Sequence, residues 1–152
     1  MSGSPGHASV FAGLRPAVAA RLVEVRSSLD PGFARLEPRA AAAQFEAVLT
    51  HQEGFLATGD ATALRGFLRS FRALRAAEGL GAENLLHAVI ALGDVAIQVA
   101  QRDLGPGPRT AELIASLARL HRATARLVVE IIAEELDGRV AQLRSLAGRG
   151  GS

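Results

Sequence analysis

The segment TAELIASLARLHRATARLVVEIIAEELDGRVAQLRSL, residues 110–146, predicts one long helix against which the shorter helices before it pack. Its apolar residues recur at steps of three and four, which keeps them on one face of an α-helix. Leu113, Leu117 and Leu120 begin this face. Thr124 is its polar member, and its hydroxyl can bond back to the carbonyl of Leu120. The periodicity therefore predicts a helix whose apolar face needs a partner along its length.

Turn and cap residues mark the ends of this helix. Thr110 follows a Gly-Pro-Gly-Pro turn and is predicted as the N-cap, and Glu112 places a carboxylate in the first turn, where the helix dipole favours it. The one internal weak point is an Asp-Gly pair ending at Gly138, which could terminate the helix as a left-handed cap. Because Val140 and Leu143 keep the phase of the apolar residues before the glycine, we predict that the helix continues through it.

The middle of the segment is apolar on more than one side, as is the helix predicted over residues 82–103. Together they carry more apolar surface than one five-helix core needs, which predicts a homodimer formed by both helices. Basic residues precede acidic residues along the long helix, an order that favours antiparallel pairing, whereas a helix leading to a following module favours parallel pairing. The predicted dimer interface consists of Leu113, Leu117, Leu120, Leu127, Val128, Ile131, Ile132 and Leu136.

Turn-forming residues divide the rest of the chain into four further helices. We predict them from residue 8 or 16 to 28, and over residues 38–58, 61–78 and 82–103. No stretch of useful length alternates apolar and polar residues, so no strand is predicted. Residues 1–7 and 147–152 are predicted to be flexible tails. The expected fold class is all-α: one domain over residues 8–146, with about five helices in a bundle and a long C-terminal helix.

Composition argues against several classes of protein. The 17 basic residues are all arginine and are interleaved with 15 acidic ones, for a net charge of +2. The electric field of such a chain is modest, which speaks against a dedicated nucleic-acid binder. Neither a convincing signal peptide nor an uncharged stretch of bilayer length is present, so we expect a cytoplasmic protein that does not bind membranes.

No catalytic signature stands out either. Cysteine is absent, which excludes a cysteine nucleophile or a thiolate metal site. Glu-x-x-His pairs and a G-x-S-x-G elbow are also missing. Gly-Leu-Gly at residues 79–81 follows a helix rather than a strand, which indicates a helix cap and not a phosphate loop. We therefore predict a protein that is not an enzyme and that has no metal and no cofactor.

One candidate binding surface is a row of arginines on the third predicted helix. The helical repeat places all four within about a third of the circumference. Such a row could receive an acidic protein partner or a phosphate, and the alternative is a solvated face that keeps the protein soluble. Its members are Arg65, Arg69, Arg72 and Arg75.

A second candidate is a pocket for a small apolar ligand, either haem or a fatty acid. His121 lies on a mainly apolar line of the long helix, and Phe67 and Phe71 could complete the pocket. The alternative is that His121 is an ordinary core or interface histidine with a satisfied hydrogen bond, for which Thr124 is a candidate partner.

Residues 57–92 read ATGDATALRGFLRSFRALRAAEGLGAENLLHAVIAL. A Gly-Asp step into a helix, arginine-rich residues before a glycine and then a Leu-Leu apolar helix resemble the N-terminal domain of bacterial RsbR-type proteins, the stressosome co-antagonists of RsbT. This resemblance implies a globin-like fold without haem, a dimer, and a last helix that continues as a linker to a signalling module. It implies no catalytic or ligand residues. The resulting expectation is a regulatory domain with a protein partner in a signalling pathway.

Overall fold

The computed structural model describes residues 2–150, and all regular structure in that range is helical. Five helices of 16 to 43 residues are joined by short turns, one of which contains a helix of a single turn. The predicted all-α single domain with a long C-terminal helix is confirmed. The elements are α1 Pro5–Glu24, a 3-10 turn Arg26–Ser28, α2 Pro31–Ala34, α3 Pro38–Thr58, α4 Thr62–Ala77, α5 Ala82–Leu104 and α6 Pro108–Gly150.

Two helix pairs make the core. The first is α1 packed along α3 and the second is α5 packed along α6, while α1 also contacts α5. Helix α4 touches α3, α5 and α6, so it lies where the two pairs meet. Phe11 of α1, Phe45 of α3 and Val128 of α6 are among the most deeply buried side chains. The first half of α6 is therefore part of the core and not an appendage.

Helix α1 begins earlier than predicted. It starts at Pro5, inside the segment predicted as a flexible tail, and it passes through Pro16 without ending. Proline suits the first position of a helix because its φ angle is already helical and its missing N–H would have no partner there. The backbone N–H of Ser4 donates to the carbonyl of Leu56 at 2.7 Å, which ties the start of the chain to α3. Met1 lies outside the described residues.

Helix α6 is continuous from Pro108 to Gly150, so the predicted passage through Gly138 is confirmed. Its start is two residues earlier than predicted, because Pro108 occupies the first position and the Gly107 carbonyl accepts from the N–H of Ala111 at 3.0 Å. The predicted C-terminal tail is thus helical over residues 147–150, and residues 151–152 lie outside the described part. At 1.5 Å per residue, α6 is about 65 Å long.

Helix α5 is long and apolar enough to cross a bilayer by length and composition, and it is the one described helix that meets both criteria. In this fold one side of α5 faces other helices, with Leu85, Val89 and Leu92 buried in the core, whereas Ile90 on the other side is 44% exposed. Central helices of globular proteins commonly have such a composition because neighbours cover them on most sides.

Candidate functional site

Helix α6 has two parts with different surroundings. Over residues 113–131 its apolar face is buried by the rest of the chain, with α5, α3 and α4 as its neighbours. Over residues 136–150 every described residue is exposed. We call this second part the rod. Since its apolar side chains are exposed and lie outside the core, their burial depends on something other than the described helices.

Large apolar side chains form a line along one side of α6 that begins at Val129 and extends onto the rod, and we call this line the apolar stripe. The side chains of this line that lie on the rod, from Leu136 onward, are between 45% and 65% exposed. Steps of three and four residues keep them on one side of the helix. Single exposed leucines are common on protein surfaces, but a contiguous apolar line marks an interaction site. The stripe consists of Val129, Ile132, Leu136, Val140, Leu143 and Leu146.

The predicted dimer interface is wrong for most of its residues. Six of the eight are 0–6% exposed because the chain's own helices cover them, and a side chain packed in that core is not available to a second subunit. Ile132 is partly buried and Leu136 is exposed, so these two belong to the apolar stripe. The six that face the core are Leu113, Leu117, Leu120, Leu127, Val128 and Ile131.

Ion pairs to α4 hold the base of the rod. Three arginines of α4, one helical turn apart, meet three glutamates of α6 just before the rod begins. We call this set the arginine ladder. The two more exposed pairs, those of Arg65 and Arg69, contribute about 0–1 kcal/mol each, whereas Arg72 is buried, and the set ties one helix to the other along two turns. Its pairs are Arg65–Glu130 at 2.5 Å, Arg69–Glu134 at 2.7 Å and Arg72–Glu135 at 3.1 Å.

The predicted anion-binding face on α4 is therefore already used within the chain. Three of its four arginines form the ladder, and the fourth, Arg75, is buried. The Arg75 Nε lies 3.4 Å from Oδ2 of Asp30, and its guanidinium stands 4.6 Å and 4.4 Å from the ring centroids of Phe33 and Phe71. Helical periodicity groups the arginines correctly, but it cannot show that other helices bring carboxylates to meet them.

The predicted ligand pocket is also wrong, because its three residues do not come together. Phe67 and Phe71 line an apolar cavity of about 30 Å³ with Phe33 and Phe45. His121 lies instead beside a separate cavity of about 10 Å³, between α5 and α6. A single water needs roughly 10–15 Å³ of such space, so neither of these two cavities has room for haem or a fatty acid. Phe67 and Phe71 also line an open groove of about 320 Å³ between α3 and α4, but His121 is not part of its lining.

His121 packs directly against the backbone of α5. A Cβ atom added at Gly93 would overlap the imidazole ring, so α5 and α6 approach this closely because residue 93 is glycine. The Nδ1 atom of His121 is buried and has no hydrogen-bond partner within the described chain. Burial lowers the pKa of His121, and the nearby carboxylate of Asp94 opposes this shift. The neutral imidazole is thus the form that fits the fold.

Thr124 is buried one turn beyond His121, but it does not pair with it. Its hydroxyl donates to the Leu120 carbonyl at 2.8 Å, as predicted, and it accepts from Nε2 of Gln52 at 3.1 Å. This bond links α6 to α3 across the core. The sequence gives no local sign of it because the two residues lie 72 positions apart.

The folded state should lose stability as the pH falls below 6.5, the ordinary pKa of histidine. The pKa of His121 is lower than that in the folded protein, so on acidification the unfolded chain takes up a proton before the folded protein does. Urea unfolding at pH 7.5 and pH 5.5 measures the difference. His121→Gln should make it smaller, while His87→Gln, at an exposed position, serves as the control. An equal pH dependence in both variants would contradict the assignment to His121.

One serine has a contact that resembles an activated nucleophile. Ser116 Oγ lies 2.6 Å from Nδ1 of His7 and accepts from Arg119 at 3.0 Å. A serine beside a histidine is the arrangement that nucleophilic catalysis uses. Here, however, Ser116 is buried inside α6, so a substrate has no path to it. The three residues instead fasten the start of α1 to α6.

The feature of α6 that remains accessible to a partner is the rod with its apolar stripe, anchored by the arginine ladder. Within residues 2–150 no group of three or more His, Cys, Asp or Glu side chains is placed to hold a metal ion. Comparisons with family models, curated proteins and solved structures found no match to this chain.

Proposed function

We propose that this protein is a non-enzymatic sensory or regulatory domain of a bacterial signalling pathway, and that it forms a homodimer through the rod of α6. The observation that carries the proposal is the apolar stripe, whose members on the rod are 45% to 65% exposed in the described chain. Exposed apolar surface of this length favours association because burying it removes it from water.

A second copy of the chain is the partner that fits the stripe best. The three-and-four spacing is the pattern of coiled coils, and in a symmetric dimer the same face serves both subunits. Asp137 and Arg144 lie on one flank of the stripe, Arg139 lies within it between Ile132 and Leu146, and the three make no ion pair within residues 2–150. Antiparallel rods would bring Asp137 to the same flank as Arg144 of the other copy, so opposite charges favour that direction.

The signalling role comes from the resemblance of residues 57–92 to RsbR-type N-terminal domains. In this fold that stretch includes all of α4, the helix that carries the arginine ladder. A shift of α4 inside the domain would therefore reach the base of the rod directly. The globin-like character, a role in the stress response, a cytoplasmic location and a protein partner downstream are parts of the same proposal.

Leu143→Glu tests the homodimer. Leu143 is the most exposed member of the stripe and lies beyond the body, so the variant should fold normally but lose the dimer. In a dimer the carboxylate of the introduced glutamate would be buried against the second rod, which should raise the dissociation constant at least about a hundredfold. We expect light scattering at tens of micromolar to give a dimer for the wild type and a monomer for the variant.

Ser145→Glu is the matched control, since it adds the same charge at an exposed position on the opposite side of the rod from the stripe. It should remain dimeric, and both variants should keep cooperative thermal unfolding. A wild-type monomer at these concentrations, or a dimer that tolerates Leu143→Glu, would refute the proposal.

A further inference from the structure

On the basis of the proposed homodimer, we infer that the rod beyond Gly138 is helical only when it pairs with a second copy. Dimerisation and helix formation of the rod would then be a single coupled step. The dimer would be controlled by whatever changes the helical order of this segment, and not by the apolar contacts alone.

The first reason is that the rod packs no apolar side chain into the core of the domain. All of residues 136–150 are exposed, and no atom of another element lies near the places where side chains on Gly138 or Gly148 would be. In proteins, most of the stability of a helix comes from packing of its apolar face, and isolated helices shorter than about 12–15 residues are marginal in water. A solitary rod therefore has little to keep it helical.

The second reason is the composition of the rod. Gly138, Gly148 and Gly150 lie within it, together with Val140 and Ser145. Glycine is the least favourable ordinary residue in a helix interior after proline, because it loses the most backbone freedom. Gly138 lies three residues after Glu135, the last member of the arginine ladder. The residue least favourable to the helix thus follows directly after the part of α6 that the ion pairs to α4 hold in place.

The third reason is the position of the apolar side chains relative to this glycine. Val140, Leu143 and Leu146 all come after Gly138, so a partner can bury them together only if the helix extends through the glycine. The arginine ladder keeps the preceding turns helical, which removes the cost of starting a new helix and leaves only the cost of extension. Pairing supplies the apolar burial that offsets this cost, as in other cases of folding coupled to binding.

Gly138→Ala tests the coupling. Residue 138 lies on the side of α6 away from the stripe and has open space around it, so the added methyl group touches neither the body nor a paired rod. Alanine lowers the free-energy cost of extending the helix through residue 138 in each of the two subunits. We therefore expect the dimer dissociation constant to fall about fivefold to thirtyfold. Sedimentation equilibrium over a range of concentrations measures it.

Two matched variants separate this effect from a general gain in stability. Gly54→Ala makes the same change at an exposed site of α3 with open space, and it should leave the dissociation constant unchanged. Ala141→Gly makes the reverse change on the exposed rod, off the stripe, and it should weaken the dimer. If all three variants have the wild-type dissociation constant, the coupling is refuted.

Hydrogen exchange shows the coupling directly. At protein concentrations below the dimer dissociation constant, amides of residues 139–150 of the wild type should exchange rapidly, and at concentrations above it they should be protected. In Leu143→Glu the same amides should exchange rapidly at any concentration. Amides of residues 113–131 should be protected in both states, since this part of α6 is buried. A dimer whose rod is equally protected in the dissociated state overturns the inference and leaves the proposed homodimer standing. A wild type that stays monomeric at every concentration overturns both.

Discussion

Asp30→Ala is expected to lower the free energy of unfolding by about 3–5 kcal/mol, as is typical when one partner of a buried ion pair is removed. The side chains of Asp30 and Arg75 are 0% and 2% exposed, so the change leaves a guanidinium in the core without its buried carboxylate. It also removes the cap of α2, where Asp30 Oδ1 accepts from the backbone N–H of Phe33 at 2.6 Å. Urea unfolding at a fixed protein concentration measures the loss.

Two comparisons show whether burial causes this effect. The double variant Asp30→Ala with Arg75→Leu should recover part of the stability, because it also removes the buried guanidinium, which in Asp30→Ala keeps only Glu78 and Gln44 as polar partners. Arg69→Ala, which breaks a half-exposed pair with Glu134, should cost no more than about 1 kcal/mol. If Asp30→Ala were as mild as Arg69→Ala, Asp30 and Arg75 would not form a buried pair in solution.

Gly93→Ala is expected to destabilise the protein by about 1–3 kcal/mol, the usual cost of adding a methyl group to a filled interior. The new Cβ would overlap the ring of His121, so either the imidazole must move or α5 and α6 must separate. The thermal unfolding midpoint should fall accordingly.

The same substitution at an exposed glycine should act in the opposite direction. Gly66 lies in α4 with open space around it, and Gly66→Ala should stabilise the fold by about 0.4–1 kcal/mol. Truncating the ring as well, in Gly93→Ala with His121→Ala, should return part of the loss, because the overlap is then removed. A Gly93→Ala protein as stable as the wild type would mean that the two helices do not approach so closely in solution.

The architecture was largely predictable because proline and glycine mark its boundaries clearly. Helix α3 was predicted over residues 38–58, and the structure has the same bounds, with Pro38 at the start and Gly59 as a left-handed cap. Periodicity also predicted that α6 runs through Gly138. Caps and helical periodicity depend on residues that lie only a few positions apart in the sequence, so they can be recognised from the sequence alone.

The interaction surface was predicted less well, for a physical reason. Leu117 and Leu136 look alike in the sequence, because a stripe that faces the protein's own core has the same spacing as one that faces a partner. Which of them is covered depends on how far α6 runs past the start of α5 at Ala82, a property of the whole fold. Similarly, Arg75 was grouped with the other arginines of α4, because its partner Asp30 lies 45 residues away and leaves no local signal.

In the paired state, in which the rod is helical, the projecting part of α6 would also act as a lever arm. A stiff helix over residues 136–150 reaches about 22 Å past its last ion pair with α4. A tilt of about 10° at that fulcrum would swing the tip by about 4 Å, which is close to the rise of three residues along a helix. Small rearrangements inside the bundle would thus be magnified into displacements large enough to change which residues meet at the far end.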